Sequence, residues 1–178
     1  MQEPVRVVLI YGSVRENRFC DTVVRWAADH IWGAGGFRLD FIDPRESISH
    51  AVTAARADAF ILVTPEYNHS YPGPLKTLID SMTSEWRGKP VAFVSYGGVS
   101  GGLRAVEHLR AVFAELRAIG IRESVSFARA KETFDAMGDP PDPEAAGGAM
   151  DRMLGQLGWW AGLMRAARRA GAHAELAA

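Results

Sequence analysis

Three short stretches of the chain concentrate residue types that hold ligands. Gly12-Ser13-Val14-Arg15-Glu16-Asn17-Arg18-Phe19-Cys20 follows an apolar run and opens a helical pattern. Backbone N–H groups at a helix start, a hydroxyl and two guanidiniums then converge, which is the donor set of a phosphate site. Pro65-Glu66-Tyr67-Asn68-His69-Ser70-Tyr71-Pro72-Gly73-Pro74-Leu75-Lys76 follows a second apolar run. Its prolines and glycine stiffen a loop whose tip carries Glu66, Tyr67, Asn68 and His69, a surface suited to a planar ligand. Ser95-Tyr96-Gly97-Gly98-Val99-Ser100-Gly101-Gly102-Leu103-Arg104 places four glycines within six residues, so that backbone can approach a ligand closely. Each stretch has a plainer reading: solvated arginines on a turn, a stiff connector, a flexible strand-to-helix turn. Their meeting at one place in the fold is what would favour the ligand reading.

Five strand patterns alternate with five helix patterns, as in a parallel sheet covered on both faces. Val5 to Tyr11, Ala59 to Thr64 and Val91 to Tyr96 are continuous apolar runs, which implies burial on both sides. Phe37 to Asp43 and Ile121 to Phe127 interleave Arg38, Asp40 and Glu123, and so read as edges. With edges at the second and fifth strands, right-handed crossovers give the order 2-1-3-4-5. The expected fold class is therefore α/β, a flavodoxin-like doubly wound three-layer sandwich on a five-stranded parallel sheet. The helices read as Arg18 to Trp32, Ser47 to Ala57, Pro74 to Ser84, Gly102 to Arg117 and Glu144 to Arg169, with Leu103, Val106, Leu109, Val112, Phe113 and Leu116 forming one stripe of the fourth. Ala128 to Pro143, with its Gly138-Asp139-Pro140-Pro141-Asp142-Pro143 breaker cluster, reads as a loop that could act as a lid. The 178 residues are expected to form a single domain, fraying after about residue 170.

In that order the switch point lies between strands one and three, and strand four adjoins strand three, so all three special loops line one crevice. A monophosphate with an attached flat heterocycle fits it: phosphate at the first loop, ring edge against the backbone of the other two. That describes FMN. The three-glycine dinucleotide fingerprint is missing after strand one, and no Gly-Lys-Ser/Thr triplet occurs, which argues against a Rossmann NAD domain and a P-loop NTPase.

The rest of the composition narrows the classes. With 20 basic and 21 acidic residues the net charge is −1, which favours neither nucleic acid nor an anionic membrane surface. Cys20 is the one cysteine, so there is no internal disulfide; the N-terminus shows no signal-peptide pattern and no apolar run is long enough for a membrane span, which together suggest a cytoplasmic protein. Cys20 reads as a small buried filler before a redox thiol, and His69 as a surface residue before a catalytic one. His30, His50, His108 and His173 share no metal-ligand spacing, so no metal site is expected. Trp159 and Trp160 read as packing groups of the last helix.

Gly12-Ser13-x-Arg15, Pro65-Glu66-Tyr67-Asn68 with Pro72-Gly73 and Leu75-Lys76, and the Tyr96 to Arg104 glycine loop together resemble the NADPH-dependent FMN reductase family, which includes azo, quinone and chromate reductases. The resemblance runs to about Phe127. It implies a flavodoxin-like fold, non-covalently bound FMN, NADPH or NADH as reductant, a small-molecule electron acceptor (quinone, azo compound, flavin or metal oxyanion), ping-pong kinetics and a homodimer or homotetramer. It further implies that Ser13 and Arg15 hold the phosphate, Pro65, Glu66, Tyr67 and Asn68 the ring, and Gly97 and Gly98 its pyrimidine edge, with Tyr96 beside them. Many members have serine and asparagine where Arg18 and Cys20 stand; these two and Phe19 are counted with the phosphate loop, Arg18 as a bidentate substitute. No residue is expected to act as catalytic acid or base, since the flavin carries the chemistry. The competing reading is a non-enzymatic FMN protein, an electron carrier or redox sensor.

Overall fold

The computed structural model describes residues 3–47 and 50–171. Five parallel strands, β1 (Val5–Tyr11), β2 (Phe37–Ile42), β3 (Ala59–Pro65), β4 (Pro90–Tyr96) and β5 (Ile119–Phe127), stand in the order β2-β1-β3-β4-β5. Every residue of β3 and β4 is buried, whereas β2 and β5 each keep half-buried and exposed positions. The sheet order therefore follows directly from which strands can tolerate two covered faces. Among the described residues six helices complete the fold: α1 (Cys20–Ala34), α2 (Ala51–Arg56), α3 (Gly73–Asp80), α4 (Leu103–Glu115), α5 (Ala130–Thr133) and α6 (Pro143–Arg169).

Alternate residues of each strand feed two cores. Val7, Leu9, Ile61, Val63 and Val94 pack under α1 and α6, with Val23, Trp26, Ile31, Met153 and Leu157. Val8, Ile10, Phe60, Leu62 and Phe93 pack on the other face with Leu75, Ile79, Leu109 and Phe113 of α3 and α4. This is the flavodoxin-like three-layer sandwich expected from the sequence.

Several bounds differ from the sequence reading, for physical reasons. The third helix ends at Asp80 and not at Ser84: the indole Nε1 of the fully buried Trp86 donates to Ile79 O and Met82 O, both at 3.0 Å, and closes the helix from its C-terminal side. The stretch from Ala128 to Pro143 is not all loop, since Ala130–Thr133 forms the single turn α5. The second helix pattern, Ser47 to Ala57, includes residues 48 and 49, which lie outside the described residues; the helix observed is Ala51–Arg56. The end of the chain beyond Gly171 also lies outside them.

Candidate functional site

At the carboxyl ends of β1, β3, β4 and β5 a cavity of about 420 Å³ opens between four loops. Gly12 permits the closest approach at the switch point. Its N–H donates to Val63 O at 2.8 Å, and a Cβ there would sit 2.5 Å from that oxygen and 2.8 Å from Thr64 Cα. The loop after β1 is thereby pressed onto β3, and its next residues turn into the cavity. Ser13 is buried, its Oγ 2.9 Å from the Tyr67 hydroxyl and accepting from Arg15 N at 3.4 Å. The Arg15 guanidinium lies 3.8 Å above the centroid of the Tyr67 ring, a cation–π contact that holds the charge at the cavity wall.

Arg18 also lines the cavity but is spent on the protein. It donates to Asp43 through both Nη atoms (2.8 and 2.5 Å), to Asp21 through Nε (2.7 Å) and to Ser13 O (2.6 Å). The Asp43 bonds raise the guanidinium's pKa still further, and the same bonds, against the cost of burial, hold Asp43 below its usual range. Arg18 thus ties the β1 loop, the start of α1 and the end of β2 into one unit. The Cys20 side chain points away from the cavity: its buried thiol donates to Val63 O at 3.6 Å, and burial pushes its pKa up. Phe19 stays on the wall, edge-on to Tyr96 (centroids 5.7 Å apart) and to Phe134 (5.3 Å). Tyr96 is buried, and burial raises its hydroxyl pKa.

The loop after β3 reverses over Asn68 and His69, both at positive φ (50° and 69°), the pattern of a type I′ turn. Tyr67 N donates to Ser70 O (2.8 Å) and Ser70 N to Tyr67 O (3.0 Å). The turn leaves Pro65, Glu66, Tyr67 and Asn68 on the cavity and His69 off it. The Glu66 carboxylate faces the neighbouring loop, accepting from Ser100 Oγ (2.6 Å), Arg104 Nη1 (2.8 Å) and Arg104 N (3.3 Å). Against the cost of burial these bonds hold its pKa down, so it braces the glycine loop as a fixed anion.

That loop uses its glycines in two ways. Gly101 (φ +62°) and Gly102 (φ +85°) are pressed against protein: a Cβ would lie 2.3 Å from Ser126 Oγ at the first and 2.8 Å from Ser95 Cβ at the second. Their smallness therefore serves the packing of the loop onto β4 and β5, a correction to reading all four glycines as making room for a ligand. Gly97 lies 3.0 Å from Gly102 N by the same measure, and Gly98 alone has nothing near it and faces the open cavity.

The fourth wall falls in the stretch that the sequence reads as a loop and lid, but none of its residues is named there as a site residue. Arg129, Ala130, Lys131 and Glu132 line the cavity, because Arg129 N donates to Gly98 O (2.8 Å) and Ala130 N to Gly97 O (3.3 Å). Arg129 takes positive φ (49°) to do so. No residue type marks that bend; the one available signal was the strand order, which sets the end of β5 beside that of β4.

Of the twelve predicted site residues, all but Cys20 lie on the cavity wall. Its displaced groups, Arg18, Glu66 and Tyr96, all move away from neutrality, so none of them is poised to exchange a proton near pH 7. The arrangement suits a flat ligand with an anionic tail: the Ser13 hydroxyl and the Arg15 guanidinium of the β1 loop at one end, aromatic and glycine backbone surface at the other.

The family profile described as NADPH-dependent FMN reductase matches residues 5–132. An NAD(P)H-dependent FMN reductase of Schizosaccharomyces pombe is 33% identical over 120 residues, 54% of this chain; the match spans 60% of that relative, less than two thirds of its length. A probable NADPH:quinone oxidoreductase of Oryza sativa is 36% identical over 175 residues, covering 84% of this chain and 86% of the relative. Among solved structures, the flavoenzyme NAD(P)H:(acceptor) oxidoreductase FerB of Paracoccus denitrificans superposes with a TM-score of 0.70 over 88% of this chain and 97% of that one; at 22% identity it bears on the fold alone.

Proposed function

The chain belongs to the NADPH-dependent FMN reductase family, and from that premise we infer that it is an FMN-dependent NAD(P)H oxidoreductase that reduces small acceptors such as quinones, azo compounds, free flavins or metal oxyanions. The observation that carries the reading is the meeting of Ser13, Arg15, Tyr67 and Gly98 on one cavity at the topological switch point. A volume of about 420 Å³ falls in the range of cofactor clefts. The open face at Gly98 is a cradle that any Cβ would begin to fill.

In this reading the FMN phosphate is held by Ser13 Oγ, the Arg15 guanidinium and the backbone of the loop that leads into α1. Tyr67, Asn68 and the backbone of Gly97 and Gly98 hold the ring system, with Phe19 and Tyr96 as an apolar wall that limits water. Arg18 and Glu66 act one step back, fixing Ser13 and the glycine loop. Bound there, FMN would supply the redox chemistry, taking a hydride from NADPH or NADH and passing the electrons on. The protein's own part is binding, orientation and electrostatics, and no side chain is assigned a proton-transfer role. Reductant and acceptor would enter through the same cavity mouth, hence in turn, giving ping-pong kinetics.

We further propose a homodimer or homotetramer, as the family resemblance implies, and a cytoplasmic location, where the single cysteine stays reduced. Among the described residues no helix is long and apolar enough to cross a membrane. The activity test is anaerobic mixing of FMN-loaded protein with NADPH, then NADH, followed by a quinone. Bleaching of the flavin absorbance and its return with the acceptor supports the reading. Slow bleaching with both nicotinamides, without turnover, would leave an electron carrier.

A further inference from the structure

We propose that the opposite end of the sheet carries a second ligand site, for a small phosphate-type dianion, where Arg56 of α2 meets Arg165, Arg168 and Arg169 of α6 around Asp58. A recess of about 270 Å³ lies there, walled by residues 55–58 and the three α6 arginines. Asp58 immediately precedes β3, whose far end borders the flavin cavity; seven strand residues separate the two by roughly 20 Å. The site is thus independent of the flavin reading.

The argument is one of charge in excess of its partners. Asp58 accepts from Arg165 Nη1 and Arg168 Nη2, each at 3.1 Å, and from Arg6 N at 3.1 Å. Charge-assisted bonds usually close to about 2.7–2.9 Å, so two guanidiniums share one carboxylate loosely. Glu3 takes Arg169 (2.6 Å), and Arg165 and Arg168 spend other N–H groups on Glu3 O, Pro4 O and Gly88 O. Arg56, exposed in the last turn of α2, has no partner among the described residues. Behind the recess the buried Lys89 ammonium donates to Ala54 O (2.8 Å) and Ala55 O (3.0 Å). Among the described residues, four guanidiniums and an ammonium therefore crowd three carboxylates in this region, Asp58, Glu3 and Glu85.

Burial is the largest cost these cations bear, and their mutual repulsion adds to it. Burial, together with the charges of Arg165 and Arg169, lowers the Arg168 pKa in spite of Asp58, and burial with the Arg168 charge brings Lys89 down to about 8. A dianion in the recess relieves that repulsion, while a monovalent anion would offset half as much. Guanidinium forks match tetrahedral oxyanions geometrically, and the recess is too small for a flavin. Occupation would pin the end of α6 against the N-terminal ends of β1, β3 and β4.

The test uses FMN-saturated protein, so that the flavin cleft is already filled, titrated calorimetrically with inorganic phosphate against sodium chloride at matched ionic strength. One saturable phosphate site is expected, with the melting midpoint raised by about 3 °C at tenfold excess over its dissociation constant. The exposed Arg56→Gln should weaken binding about fivefold and Arg168→Gln more, both with NADPH oxidation unchanged. Competition by adenosine monophosphate identifies phosphomonoesters as the ligand source, and its failure identifies the free ion. Heats indistinguishable from chloride in the wild type would overturn the proposal. So would an affinity left unchanged by both substitutions.

Discussion

Two arginines three residues apart do different work, and Arg18→Gln separates them. Arg18 has a nearly buried side chain (4% exposed) paired with an Asp43 side chain that is 19% exposed. Removing the cation strips Asp43 of its bidentate partner, Asp21 of one bond and Ser13 O of another. Breaking such a pair on one side costs about 3–5 kcal/mol when fully buried; with Asp43 partly solvated, about 3 kcal/mol is the appropriate figure. For a chain of this size that is a fall of about 6–12 °C in melting midpoint of the flavin-free protein. A pH signature accompanies it. Asp43 is held below its usual value, so its contribution to stability is present above the unfolded pKa of about 3.9 and is lost as pH falls through the lower folded value. In Arg18→Gln that acid-induced loss should largely vanish. The assay is thermal unfolding of flavin-free protein from neutral pH to about pH 3, with FMN affinity measured alongside. A variant as stable as the wild type that had nevertheless lost FMN would show that Arg18 is a phosphate ligand and not a scaffold, and would refute the reasoning.

Arg15→Ala should do the reverse: little change in flavin-free stability, since it removes an exposed cation–π contact worth about 0.5–1 kcal/mol, but a charge-assisted phosphate contact of about 1.5–3 kcal/mol lost, raising the FMN dissociation constant about tenfold or more in a fluorescence titration. Gly101→Ala places a Cβ 2.3 Å from Ser126 Oγ at positive φ, and should destabilise by about 2 kcal/mol in urea unfolding; no change would mean the loop relaxes freely. Lys89, brought down to about 8 mainly by burial, binds fewer protons folded than unfolded between about pH 8 and 10.4, so its penalty is relieved as pH rises through that window. Lys89→Met should therefore lack the rise in stability that the wild type shows across it, a difference read from paired denaturant titrations at the two ends.

What the sequence made legible was whatever depended on near neighbours. Val5–Tyr11, Ala59–Pro65 and Pro90–Tyr96 are apolar but for Arg6, Thr64 and Ser95, because their centres are covered on both faces, and that marked their central places and the switch point. Glycine, serine and arginine after β1 and the stiff loop after β3 were visible for the same reason. What stayed hidden rests on partners distant along the chain. Asp43 closes on Arg18 from 25 residues away, a partner that no local spacing predicts. The glycines at 101 and 102 answer to Ser126 and Ser95, contacts that no local pattern announces. Arg129 reaches the cavity through a left-handed bend stitched to Gly98, so the fourth wall left no mark in composition. Trp86 ends α3 by folding back onto carbonyls that a helical pattern alone would have continued past.

The central claim is that the cavity between β1, β3, β4 and β5 is built for FMN, and the most direct measurement is a titration of flavin-free, folded protein with FMN, followed by the flavin's absorbance and fluorescence. The account predicts saturation at one FMN per chain, with binding weakened in Arg15→Ala. A correctly folded protein that leaves the FMN spectrum unchanged would contradict it.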